Sequence, residues 1–125
     1  MKILIVDDIE EYLRSLENAL EMEFDVVKAR TLEEAKEKVD ENIDVALIDI
    51  RLSEEDMRNR DGLVFLEWLK MNYPKLPAIV MSAYREFDLA VDALNLGAEY
   101  FLKKPINLME LKGILKTIVS KRKDK

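Results

Sequence analysis

The chain has 125 residues, the length of one domain, and a formal net charge of −6, which argues against a domain that grips nucleic acid by itself, because that needs a basic face. It contains no Cys and no His, which removes disulfides, thiolate metal sites, the commonest zinc ligand and the usual general base. Any chemistry therefore rests on carboxylates, amines, hydroxyls or a bound ion.

The first apolar run, Ile3 to Val6, predicts a buried strand that runs straight into two acids, Asp7 and Asp8. Ile9, Leu13, Leu16 and Leu20 follow at helical spacing, one apolar face of a first helix. Phe24 to Lys28 predicts a short second strand. In "TLEEAKEKV", Thr31 and Glu34 are spaced as a capping box, and Leu32, Ala35 and Val39 form the inner stripe. "VALIDI" is a third, solidly apolar strand up to Asp49. "DGLVFLEWLKMNY" predicts a helix starting at Asp61. "LPAIVMSA" is the fourth strand, with Pro77 near its start, where a missing N–H is tolerated. Phe87 to Leu96 predicts a helix ended by Gly97, and "YFLKK" a fifth strand. Asn107 and Glu110 are spaced to cap a last helix whose inner face is Leu108, Leu111, Leu115 and Ile118; "KRKDK" predicts a solvated tail. The domain is thus expected over residues 1–120, with a basic tail over 121–125.

Strands one, three and four are apolar at nearly every position, the habit of parallel strands covered on both faces. The expected fold is therefore α/β: a (βα)5 doubly wound parallel sheet, whose element count suits the flavodoxin-like order 2-1-3-4-5. Ligands in such sheets bind beyond the carboxyl ends of the strands. Those ends are Asp7-Asp8, Asp49, Ser82 and Lys104-Pro105. In that strand order they gather three carboxylates, a hydroxyl and an ammonium. Clustered carboxylates repel and prefer a proton unless a cation is supplied. A hard dication with oxygen ligands, Mg2+ or Mn2+, is the natural remedy. A carboxylate can also attack phosphorus to give an aspartyl phosphate, a reaction that needs little beyond positioning and charge neutralisation.

"ILIVDD", "ALIDIRL", "DGL", "VMSA" and "GAEYFLKKP" together resemble the receiver domain of two-component response regulators, in family order and over essentially the whole chain. The resemblance implies the 2-1-3-4-5 strand order. It implies Asp49 as phosphoacceptor, Asp8 as a direct metal ligand, Asp7 as holder of a metal-bound water and Arg51 as donor of a backbone carbonyl to the metal. Ser82 and Lys104 would each bind a phosphoryl oxygen, and Phe101 would be the aromatic that turns inward with Ser82. Lys104 rather than Lys103 is chosen because it directly precedes Pro105, in a bond usually cis in the family, and because strand neighbours face opposite ways. The implied partners are a sensor histidine kinase or phosphotransfer protein and a downstream target or output domain. A phosphorylation-dependent homodimer is a further option. Direct nucleic-acid binding and membrane association are not expected, and the location is cytoplasmic. The protein is expected to be a switch that catalyses only its own phosphoryl transfer and slow dephosphorylation.

Two features depart from the family. Ser53 stands where Pro is usual, and the link from Asp49 to Asp61-Gly62 is long, making Glu54, Glu55 and Asp56 candidates to alter metal affinity or to form a partner-specific surface. Tyr84, two residues past Ser82, is positioned to shield an acyl phosphate. An aspartyl-phosphate hydrolase of the haloacid dehalogenase type is disfavoured, because its two acids are separated by one residue on the first strand. A docking module that takes no phosphate stays open, favoured only by the long loop. The chain alone leaves open whether it is a free-standing regulator or part of a longer one.

Overall fold

β1 (Lys2–Val6), β3 (Val45–Asp49) and β4 (Ala78–Ser82) are buried along nearly their whole length, whereas β2 (Asp25–Ala29) and β5 (Tyr100–Lys103) are partly exposed. That contrast follows from the sheet order β2-β1-β3-β4-β5, in which the second and fifth strands are the edges. All four pairings are parallel, as expected of strands that run without polar alternation. The computed structural model describes residues 1–83 and 87–123. The connecting helices are α1 (Glu10–Leu20), α2 (Leu32–Lys38), α3 (Asp61–Asn72), α4 (Phe87–Asn95) and α5 (Leu108–Lys123).

The period of two along each strand divides the interior into two cores. Leu4, Val6, Ala46, Ile48, Ala78 and Val80 pack with Ala35, Phe65, Leu66, Leu69 and Ala93, on the side of α2, α3 and α4. Ile3, Ile5, Val45, Leu47, Ile79 and Met81 pack with Leu13, Leu16, Leu20, Leu111, Leu115 and Ile118, on the side of α1 and α5. This alternation sets the site. Asp7 continues the series of Ile3 and Ile5, Asp49 that of Val45 and Leu47, and Lys104 that of Tyr100 and Leu102 on the same side. Lys103 has the opposite parity and is exposed.

The caps are as expected in part. Thr31 Oγ1 accepts the Glu34 N–H at 3.1 Å, but the Glu34 carboxylate accepts from Lys38 Nζ at 3.1 Å instead of turning back. Asn107 Oδ1 accepts the Glu110 N–H at 3.1 Å, and Gly97 has φ +107, a conformation that glycine adopts without steric cost. β2 starts one residue later than expected, because the Phe24 N–H closes the end of α1 on Leu20 O at 2.9 Å. Leu108 does not face inward: it is 41% exposed, at the rim of an open groove that it lines with Tyr12 and Ile106. α5 runs through Lys123, and Arg122 lies 3.6 Å from the Asp44 carboxylate.

The long link after β3 is closed by its own side chains. Asn59 Oδ1 accepts from the Leu52 N–H at 2.9 Å and the Asp61 N–H at 3.0 Å, so one amide joins both ends of the loop. Ser53 Oγ accepts from the Asp56 N–H at 3.2 Å, and Asp56 Oδ1 from the Arg58 N–H at 2.9 Å. Asn59→Ala strands two part-buried donors and is expected to cost about 1–3 kcal/mol, measured by urea unfolding; a loss under about 0.3 kcal/mol would show that water replaces the amide.

Candidate functional site

The carboxyl edge of the sheet brings four charged groups together. Asp7, Asp8 and Asp49 each place a carboxylate oxygen within 4.8 Å of the others. Lys104 Nζ donates to Asp7 Oδ2 at 2.9 Å and to Asp49 Oδ2 at 3.1 Å. Asp7 is fully buried and Asp49 is 6% exposed. The other Asp7 oxygen accepts the Ile9 N–H at 3.0 Å, which fixes the carboxylate as the chain turns into α1. Arg30, one residue past β2, donates from Nη2 and Nε to the Asp8 carbonyl at 3.0 and 3.3 Å. The Lys104–Pro105 bond is cis.

Asp49 owes its place to a glycine. The Gly62 N–H donates to Ile50 O at 2.8 Å, and a Cβ on Gly62 would stand 1.9 Å from the Asp49 carbonyl oxygen. Only a residue without a side chain lets α3 begin against the end of β3, which is the physical content of the Asp61-Gly62 pair.

Three carboxylates face one ammonium, and the imbalance shows in their proton affinities. Burial, then the nearby Asp7 charge, pushes the Asp49 carboxyl up to about 7, against the opposing pull of Lys104. Burial and Asp7 also raise Asp8, with Glu54 adding a smaller push. Burial works to lower Lys104, but Asp49 and Asp7 outweigh it, so the ammonium is held more tightly than usual. The site is short of positive charge. Its donor set is all hard oxygen, partly buried and open on one side, and this fits a small dication that keeps water or substrate oxygens in its shell. Among the described residues it is the one cluster of three acids able to hold a metal ion.

An open cleft of ≈ 460 Å³ lies over these groups, lined by Asp8, Asp49, Lys104, Arg51, Glu54 and Tyr12 among others. Arg51 is thus at the site, and Glu54 is the member of the long loop that reaches it. Ser82, at the end of β4, is fully buried, and its hydroxyl donates to the Ala83 carbonyl at 3.4 Å; Ala83 lines the cleft. The Lys104 N–H donates to Ser82 O at 2.7 Å, tying β5 to β4 beside the site. Phe101 is half-buried against the core beneath α2, α3 and α4. Tyr84 lies outside the described residues. Sequence reasoning missed two residues. The Tyr12 ring covers Lys104, its centroid 4.6 Å from Nζ, a contact that joins α1 to the residue after β5 and so carries no local signal. Arg30 carried no local signal, because only strand pairing brings it to Asp8.

No helix among the described residues is long and apolar enough to cross a membrane. Residues 3–116 match the family model described as the response regulator receiver domain. The chain is 34% identical over 123 residues to the response regulator protein PilR of Pseudomonas aeruginosa, covering 97% of this chain and 26% of that one. It is 34% identical over 119 residues to the transcriptional regulatory protein CpxR of Escherichia coli, covering 94% of this chain and 49% of that one. The chain thus spans between a quarter and a half of these relatives. Among solved structures, it superposes with a TM-score of 0.85 and 30% identity on a CheY-like response regulator receiver domain protein from Methanospirillum hungatei, covering 99% of this chain and 98% of that one.

Proposed function

This chain belongs to the response regulator receiver family, a family of signalling switches, and from that premise we propose that Asp49 accepts a phosphoryl group from a phosphohistidine donor. One observation carries the reading: the convergence of Asp7, Asp8 and Asp49 with the Lys104 ammonium at one partly buried sheet edge. In the transfer, an Asp49 oxygen attacks phosphorus, the P–N bond to the donor imidazole breaks with its electron pair leaving on nitrogen, and an aspartyl phosphate forms. Asp8, Asp49 and the Arg51 carbonyl would hold Mg2+ or Mn2+, with Asp7 acting through water, and the ion would supply neutralising charge for the carboxylates and the phosphoryl oxygens. Lys104 passes from the Asp49 carboxylate to a phosphoryl oxygen, still held by Asp7. Ser82 turns its hydroxyl to another, and Phe101 follows into the space left.

The charge added at Asp49 then biases two arrangements of the fold that differ by a few kcal/mol. The donor is a sensor histidine kinase or a phosphotransfer protein. The receiver of the signal is a downstream protein or an output domain, with a phosphorylation-dependent homodimer as one form of output. The chain does no chemistry beyond gaining and slowly losing its own phosphoryl group, acts in the cytoplasm, and leaves nucleic-acid contact to its partners.

The test is labelling with a small-molecule phosphoryl donor in Mg2+. Intact-mass analysis is expected to show one added phosphoryl group, mapped to the Asp49 peptide and lost in Asp49→Asn and with EDTA. Mg2+ alone is expected to stabilise the protein by about 2.7 kcal/mol at ~100 times its dissociation constant. Sustained turnover of a phosphomonoester would favour the hydrolase, and binding of beryllofluoride unaffected by Asp49→Asn would remove the nucleophile.

A further inference from the structure

We propose that Tyr12 is a positioning residue for Lys104, its ring face holding the ammonium where it can grip a phosphoryl group on Asp49. The inference rests on the reading of Asp49 as the acceptor. An ammonium has three N–H donors. Two of them are engaged by Asp7 and Asp49 at 2.9 and 3.1 Å, and the Tyr12 ring stands 4.6 Å from the same nitrogen, within the range of a cation–π contact. Tyr12 is 48% exposed while the Lys104 side chain is 16% exposed, so the ring is the outer member of the pair. It also lines two openings: the cleft over Asp8 and Asp49, and an adjoining groove with Leu16, Ile106 and Leu108. Lys104 and Pro105 line both openings with it.

When the phosphoryl group arrives, Lys104 must exchange its bond to the Asp49 carboxylate for one to a phosphoryl oxygen. Two restraints hold the ammonium through that exchange. Asp7 supplies one as a charged acceptor, and the negative face of the Tyr12 ring supplies the other while excluding water from the lysine. An aliphatic side chain of similar reach covers the ammonium but offers no quadrupole. Tyr12→Leu and Tyr12→Phe therefore separate bulk from ring, and Tyr12→Phe separates ring from hydroxyl.

The probe is beryllofluoride titrated at saturating Mg2+ into the folded chain. Tyr12→Leu is expected to weaken its binding about three- to tenfold, and Tyr12→Phe to restore it to within about twofold. The second readout is the Lys104 side-chain methylene signal of the metal-free protein, which a ring at this distance shifts upfield and Tyr12→Leu returns toward random-coil values. Beryllofluoride affinity unchanged in Tyr12→Leu overturns the proposal, as does equal weakening in Tyr12→Phe. If the wild-type chain takes no beryllofluoride, the acceptor reading fails; an upfield Lys104 signal lost in Tyr12→Leu still supports the ring's hold on the ammonium, and an unshifted signal overturns it.

Discussion

Replacing Gly62 with Ala is expected to destabilise the protein by at least about 3 kcal/mol, a large share of the ~5–15 kcal/mol that holds a domain together. The new methyl would meet the Asp49 carbonyl oxygen at 1.9 Å, Ile50 Cα at 2.6 Å and Ile50 O at 2.7 Å. All three are backbone atoms in or next to a fully buried central strand, so none can swing aside as the end of a side chain can. Relief requires α3 to back away from β3. That motion breaks the Gly62 N–H bond to Ile50 O and lifts Phe65, Leu66 and Leu69, all fully buried, out of their seats. It also shifts the carbonyl of the residue that carries the proposed chemistry. Gly113 supplies the control: a Cβ there meets nothing within 4 Å, and as it lies inside α5, Gly113→Ala is expected to stabilise by about 0.5–1 kcal/mol. Urea unfolding of both variants decides the matter, and a Gly62→Ala loss under about 1 kcal/mol would mean that α3 is free to move at little cost.

The Gly62 contact shows what kind of information the chain carries openly. Apolar runs and helical spacing mark the elements, because burial on one or two faces imposes those periods directly. The same logic reaches the site: acids at the ends of buried strands, and a lysine of the right parity just past β5, are legible because a strand's alternation is simple. Contacts that need two elements at once are not. Tyr12 meets Lys104 only once the phase of α1 and the position of β5 are both known, and Arg30 reaches the Asp8 carbonyl only through the β1–β2 register. The long loop was visible as a departure, but its closure by the one amide of Asn59 depends on backbone donors that carry no sequence signature. The polar stretch after Ser120 was expected to be tail. Polarity reports exposure and not the end of a helix, and with no Gly or Pro there α5 continues to Lys123.

In the absence of metal, the wild-type protein is expected to lose stability as pH rises from about 4 to about 7, and Asp49→Asn to remove most of that loss. Burial, then the Asp7 charge, raises the Asp49 carboxyl from its ordinary value of 3.8 to about 7 in the folded chain. Between those values the folded chain therefore holds more protons than the unfolded one, and stability falls as pH climbs through the window. At about 1.4 kcal/mol per unit the full shift sets a ceiling of roughly 4 kcal/mol. Relaxation and water entry at a site open on one side bring the expected effect to about 1–3 kcal/mol. Asp8, raised in the same direction, leaves a smaller slope in the variant. Lys104 titrates above the window. Asp49→Asn keeps an oxygen that can accept from Lys104, while Asp7 keeps the ammonium paired, so at pH 8 the variant should be the more stable by that 1–3 kcal/mol. Mg2+ should narrow or reverse this difference, because a dication stabilises the same carboxylate whose charge is otherwise costly. Urea unfolding of both proteins between pH 5 and 8, with EDTA and with Mg2+, measures all of this. A wild-type stability that rises across the window, or an Asp49→Asn variant less stable than wild type at pH 8 in EDTA, would mean that the Lys104 ammonium already neutralises the cluster and that the site has no need of a second cation.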